Sequence, residues 1–312
     1  MSKPFGIDIG SPQGDGLSPL LFVVYLESCL RAVRRELPPR PDADHGLFGE
    51  SGYADDCNFY STSRTWLEAA LPVVARVFSE HGFQVNQDKT EWIRMHKLPN
   101  MADETWRRSR QLGSLIGDDA DVKRRVGLAA SAFGSLRNIW ARAGKVSVPR
   151  RLRLFNAYVL PVLCYNCGAW GLSTSATREL DAFHRRQIRA VLGIRWPCRV
   201  SNRSLQERFG IAPLGLHVAQ CRLRLLGHVL RLDPRAPAQV SMDAYFAARG
   251  RVRGRPRWCL PNALQKDLTQ FGHAFSNAGD LNSLRDIAAD REGWRRMVHM
   301  TVTTAAEGSE SE

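Results

Sequence analysis

The chain has 312 residues, 44% of them hydrophobic, which is enough for one large core or two ordinary ones and excludes disorder throughout. Its formal charge is +13 and its pI about 9.9. Residues 1–60 hold five Lys/Arg against nine Asp/Glu, a net of −4 that leaves +17 on the rest. An acidic end joined to a basic body suits a metal site beside a polyanion; a basic soluble protein with no nucleic-acid role is the plainer alternative.

Seven cysteines, at 29, 57, 164, 167, 198, 221 and 259, form no regular framework. Their odd number argues against an all-disulfide design and implies a reducing compartment. The longest apolar stretch, Leu20 to Leu26, falls far short of the roughly 20 residues a membrane span needs. The start Met1-Ser-Lys-Pro carries no secretory signal, so an intracellular, soluble protein is expected, in nucleus or cytoplasm, without a membrane partner.

In chain order, a Gly- and Pro-rich loop, Gly10-Ser-Pro-Gln-Gly-Asp-Gly-Leu-Ser-Pro19, leads to a helix that Ser18 is placed to cap, with Pro19 first. Gly14 and Gly16 let backbone approach a ligand at that helix N-terminus; the alternative is a plain glycine turn. Leu26, Leu30, Val33 and Leu37 make the inward stripe until Pro38-Pro39 stops the helix. Residues 49–60 then read as strand, tight turn, strand, with Tyr53-Ala54-Asp55-Asp56 at the tip and Cys57, Phe59 and Tyr60 as β-formers behind it. Adjacent carboxylates repel by about 4 kcal/mol at 4 Å near a protein surface, so the pair belongs beside a cation or in open solvent. A helix follows at about 65–81, with Leu67, Leu71, Val74 and Phe78 inward and a kink or later start expected from Pro72. Residues 82–95 read as a strand pair, and Gln111 to Ile116 as another short strand.

Beyond that point the pattern is helical. Val126, Ala129, Phe133, Leu136 and Trp140 form an apolar stripe with Lys123, Arg124 and Arg137 off it. Residues 121–160 carry nine Lys/Arg and one acid, a candidate nucleic-acid surface. Pro149 opens another helix with Leu152, Phe155 and Val159 inward, and further helices are expected at about 176–192, 202–209, 214–231 and 259–271. Cys164-x-x-Cys167, with His184 and Cys198 downstream, invites a zinc reading, but the pair lies in an apolar segment with no second close pair and packing is the expected role. His228 is expected to be a core histidine. Arg253-Gly-Arg-Pro-Arg257 reads either as an AT-hook-like minor-groove arm or as a flexible basic linker.

Taken together, Pro12-Gln13-Gly14 with Leu17-Ser18-Pro19, Tyr53-Ala54-Asp55-Asp56, Gly82 through Thr90, and Leu112-Gly113-Ser114-Leu115-Ile116 resemble, in order, the reverse transcriptases of non-LTR (LINE-type) retrotransposons. Tyr165 to Trp170, Leu226-Gly227-His228-Val229, Arg253 to Arg257, Asp290-Arg291 and Trp294 are similar to the region after the thumb in those elements. The resemblance implies an α+β fold: an incomplete polymerase palm of antiparallel strands and packed helices over residues 1–118, a thumb-like helical region over 119–200, a basic helical region over 201–300 and a disordered tail over 301–312. It implies Mg²⁺ bound by Asp55 and Asp56, with Lys89 near the triphosphate. Pro12, Gln13, Gly14, Tyr53 and Asn86 would lie at template or nucleotide, and Lys123, Arg124, Arg137, Arg253, Arg255 and Arg257 on nucleic acid. The partners implied are an RNA template, a DNA primer or target DNA, and deoxynucleoside triphosphates.

Two departures stand out. Gly16 replaces a frequent proline, and the family's first palm strand, with its metal-binding aspartate, belongs upstream of Pro12-Gln13-Gly14, whereas the sequence begins at Met1. Asp8 is a poor substitute. The expectation is therefore a chain that does not polymerise unaided, whether a part of the enzyme, a truncated gene model or a non-catalytic nucleic-acid-binding relic.

Overall fold

The computed structural model describes residues 14–41, 49–95, 105–141, 145–247 and 258–307, with side chains as far as residue 299. Asp8, Pro12, Gln13, Arg253, Arg255 and Arg257 lie outside these residues. The chain divides into two units, Met1–Trp92 with Pro234–Ala244 and Ile93–Asp233 with Tyr245–Glu312.

In the first unit, α1 (Ser18–Glu36) begins one residue earlier than Pro19 suggests: Leu17 stands at the cap in helical conformation and no side chain caps it. The fixed φ of Pro19 makes the first turn without that help. The helix ends where Leu37 turns extended (ψ 140°), the conformation demanded of a residue before proline. It buries Leu26, Cys29, Leu30 and Val33 against Val74, Val77 and Phe78 of α2 (Arg64–Glu80). Ser63 caps α2 by accepting from the Trp66 amide at 3.2 Å, and the helix runs on through Pro72, which lies on its exposed side. Between the helices, β1 (Glu50–Tyr53) and β2 (Asp56–Phe59) pair antiparallel, with Tyr53 opposite Asp56.

The strand pair expected over 82–95 does not form. Phe83 and Val85 face the core from an extended segment without a ladder, Phe83 packing 5.9 Å from Phe22, 5.4 Å from Tyr25 and 5.9 Å from Phe78. Gln87–Lys89 then closes a 3-10 turn, because the Asn86 side chain accepts from the Lys89 amide at 3.1 Å. Such a local bond competes with strand pairing, and here it prevails.

The second unit starts with β3 (Arg110–Gln111) and β4 (Ser114–Leu115), joined through Leu112 (φ 46°) and Gly113 (φ 81°), both left-handed. Helices follow along the chain: α3 (Asp118–Ser135), α4 (Arg137–Ala141), α5 (Val148–Tyr158), α6 (Leu160–Leu163), α7 (Thr174–Leu192), α8 (Asn202–Phe209), α9 (Leu214–Leu230), α10 (Pro237–Ala247), most of which belongs to the first unit, α11 (Leu260–Thr269), α12 (Ala278–Ala289) and α13 (Arg291–Glu307). The last continues into the stretch expected as a tail. Asp118, Asp119 and Asp121 in the first turn of α3 suit its positive N-terminal end. Ser173 caps α7 and Gly193 closes it in left-handed conformation.

One core joins α3 to α7 and α9, with Phe155, Leu163, Trp170, Leu180, Ile188 and Val218 almost fully buried. Helix α9 is the hub, packed against α7, α11, α12, α13 and a 3-10 turn at Cys167–Ala169. Its buried Arg222 makes a two-pronged ion pair with Asp267 at 2.7 and 3.1 Å and donates to the Trp170 carbonyl at 3.2 Å.

Candidate functional site

The β1–β2 connection is two residues long, and Ala54 takes a φ of 52° to make it. Asp55 stands in the turn and Asp56 opens β2, both exposed, with Tyr53 67% exposed opposite Asp56. Cys57 and Phe59 root the hairpin in the first core. Its base is tied to α1 by Arg34, which donates to Glu50 at 2.6 Å and to both Glu27 oxygens at 2.9 and 3.2 Å. Arg34 and Arg31 hold the Glu27 carboxyl down at about 2. Among the described residues neither aspartate takes part in an ion pair, so the tip presents two uncompensated carboxylates on a fixed footing.

Hard carboxylate oxygens are the donors Mg²⁺ takes, so the tip fits that ion in kind. Two side chains supply only part of its octahedron, and among the described residues no group of three ligand-type side chains includes them. Gly14 takes a φ of 95° and has open space where a side chain would stand, four residues before α1. Asn86 is committed through its side-chain oxygen to the turn that leaves Lys89 exposed.

In the second unit the β3–β4 hairpin is clamped to α3. The buried Asp121 accepts from the Leu115 amide at 2.9 Å with one oxygen and from Trp170 Nε1 at 3.0 Å with the other. Arg125 donates to the Gly113 carbonyl and to Ser114 Oγ, and its guanidinium lies 4.2 Å over the Tyr165 ring. Tyr165 donates to the Leu112 carbonyl at 2.8 Å. Asp118 accepts from the Gly171 amide at 3.0 Å, while burial pushes its carboxyl upward. Short hairpin, first helix and aromatic segment are thus one mechanical piece.

That clamp takes Arg124 with it: half-buried, it donates to the Gly113 carbonyl at 2.8 Å, whereas Lys123 and Arg137 are exposed. A basic surface that the sequence reading passed over lies on α7. Arg185, Arg186, Arg189 and Arg195 line an open cleft of about 430 Å³, floored by Ala182, Ala190 and Ile194. Trp196, next in the chain, is 87% exposed. The i, i+1, i+4 spacing of the three helical arginines was the available signal.

Of the zinc candidates of the sequence, His184 and Cys198 do not join the Cys164–Cys167 pair. His184 is buried in α7 against Phe155 at 5.8 Å, its Nδ1 has no partner among the described residues, and burial lowers it to about 4; Cys198 is exposed. His228, expected in the core, is exposed on α9. Cys164 and Cys167 instead meet His217.

Residues 4–116 match the family model described as Reverse transcriptase (RNA-dependent DNA polymerase). The match runs from before α1, through the aspartate hairpin and the Asn86 turn, to the β3–β4 hairpin. No curated protein and no solved structure matches the chain. Among the described residues no helix is long and apolar enough to cross a membrane.

Proposed function

From the reverse-transcriptase domain that residues 4–116 match, we propose that this chain is part of the RNA-directed DNA polymerase of a non-LTR retrotransposon. The observation that carries the reading is the hairpin tip: two adjacent, exposed, unpaired carboxylates on a rooted two-residue turn inside the matched segment. In this reading Asp55, in the turn, and Asp56, beside it, hold Mg²⁺. The chemistry such an ion would supply there is polarisation of a primer 3′-oxygen and charge stabilisation of the leaving pyrophosphate. Tyr53 contacts template or nucleotide from across the hairpin. Lys89 sets a positive charge toward the triphosphate, and the Pro12-Gln13-Gly14 loop contacts template or nucleotide. Residues 1–118 act as palm and the helices after them as thumb and basic C-terminal region, with Lys123, Arg137 and the Arg253–Arg257 arm on nucleic acid.

The arginine cleft favours a second reading, a nucleic-acid-binding protein without catalysis. Primer extension on an RNA template separates the two. Mg²⁺-dependent incorporation that disappears in Asp55→Asn and Asp56→Asn supports the polymerase; salt-sensitive binding without incorporation supports the binding protein.

A further inference from the structure

Four soft ligands from two distant stretches of sequence converge on one side of α9. The chain leaves α6, turns at Asn166 (φ 59°, ψ 18°), and closes the Cys167–Ala169 turn, with the Cys167 amide donating to the Cys164 carbonyl at 3.1 Å. Gly168 lets this turn lie directly on the α9 backbone: a Cβ there would stand 3.0 Å from the Cys221 carbonyl oxygen. Helix α9 answers with His217 and Cys221, four residues apart and so on one face.

The Cys164 and Cys167 sulfurs and a His217 ring nitrogen all lie within 4.8 Å of one another. Cys221 Sγ, outside that group of three, is 3.7 Å from His217 Nε2 and is placed to complete the set as a fourth ligand. A tetrahedral ion with sulfur at about 2.3 Å and nitrogen at about 2.0–2.1 Å requires ligand-to-ligand edges of roughly 3.5–3.8 Å. Cys167 is 2% exposed and the other three are half-buried, a shielded site reachable from one side. Plain packing would accept any small apolar side chain at these places and gives no reason for an imidazole nitrogen to point into three thiols.

We propose that Cys164, Cys167, His217 and Cys221 form a structural Zn²⁺ site that pins the Tyr165–Trp170 segment to α9. All four positions around the ion are taken by protein, the pattern of a site that holds structure and leaves no place for substrate. Binding releases three thiol protons and keeps the imidazole neutral, so the ion with its ligands carries a net charge of −1. Arg222, the residue after Cys221, lies close enough to Cys167 to act on its charge. The site stands independently of the polymerase reading, since none of its ligands belongs to the aspartate hairpin.

The test uses the full chain, refolded or expressed under reducing conditions with zinc, dialysed, and assayed for bound metal by atomic emission. About one zinc per chain is expected. Co²⁺ in its place should give the intense ligand-field bands of a tetrahedral site together with thiolate charge-transfer absorption. His217→Ala and Cys221→Ser should lose the metal, while Cys198→Ser, in an exposed residue outside the group, should keep it. Cys221→His should retain Co²⁺ with shifted bands, which keeps the test decisive if the serine variant fails to fold. A folded, reduced chain that retains no zinc overturns the proposal, as does retention that survives both His217→Ala and Cys221→Ser. A disulfide between cluster cysteines in place of bound metal overturns it as well.

Discussion

Gly227 of α9 lies against the indole of Trp294 on α13, so close that a Cβ there would stand 2.6 Å from ring carbons Cδ1 and Cε2. The indole has no freedom to retreat, because its Nε1 donates to the Leu223 carbonyl at 2.9 Å and the ring is 3% exposed. Gly227→Ala should therefore destabilise the protein by about 1–3 kcal/mol through overpacking. Gly127→Ala in α3, where a Cβ meets nothing within 4 Å, should stabilise it by about 0.5–1 kcal/mol. Urea denaturation of both variants checks the opposite signs.

Asp121 joins three pieces of chain with two oxygens, accepting from the Leu115 amide and the Trp170 indole, and it also faces the buried Arg125 guanidinium at 3.6 Å. Asp121→Asn turns one acceptor into an NH₂ that must face either the Leu115 amide or the Trp170 indole. A loss of about 1–3 kcal/mol is expected, with a donor left unpaired in the interior. Hydrogen exchange should show faster exchange of the Leu115 amide, while the amides of the α1 core in the first unit keep their protection.

His184 makes the second unit acid-sensitive. Burial lowers its proton affinity to about 4 from 6.5, helped by Arg185 and His217, so the unfolded chain takes the proton at a higher pH than the folded one. The stability due to this residue is complete above pH 6.5 and is lost as pH falls toward 4, a window on the order of 3 kcal/mol. Urea midpoints measured from pH 7 to pH 4.5 should fall, and should fall less in His184→Leu, which also removes the orphaned Nδ1.

In the nucleic-acid-binding reading, a single strand would lay its phosphates along the arginines of the cleft and a base on the exposed Trp196 indole. Arg186→Ala and Arg195→Ala should each flatten the salt dependence of single-stranded binding by roughly one phosphate contact. Trp196→Ala should cost about 1–3 kcal/mol of binding with the salt slope unchanged. Fluorescence titrations at several salt concentrations read both numbers.

Periodic features were legible in the sequence. The α1 stripe, the hairpin around Tyr53–Asp56, and helices α7, α8 and α9 lie within two residues of where apolar spacing and caps place them. Residues 82–95 were misread because Phe83 and Val85 alternate like a strand, whereas Asn86 captures the backbone of Lys89 locally. His217 and Cys221 escaped notice because they lie some fifty residues from Cys164, on a helix whose spacing reads as ordinary core. The Asp121 clamp was equally hidden: an acid in a helix's first turn reads as a dipole partner, and only the fold brings Leu115 and Trp170 to it.

The Arg34 strut bears on how the aspartate tip responds to its surroundings. Glu27, held well below the usual carboxylate range by Arg34 and Arg31, fixes the guanidinium on α1, and from there Arg34 reaches Glu50 at the start of the hairpin. The base of the hairpin is thus held from α1 by a side chain that touches neither aspartate, so the tip and its support can be altered one at a time.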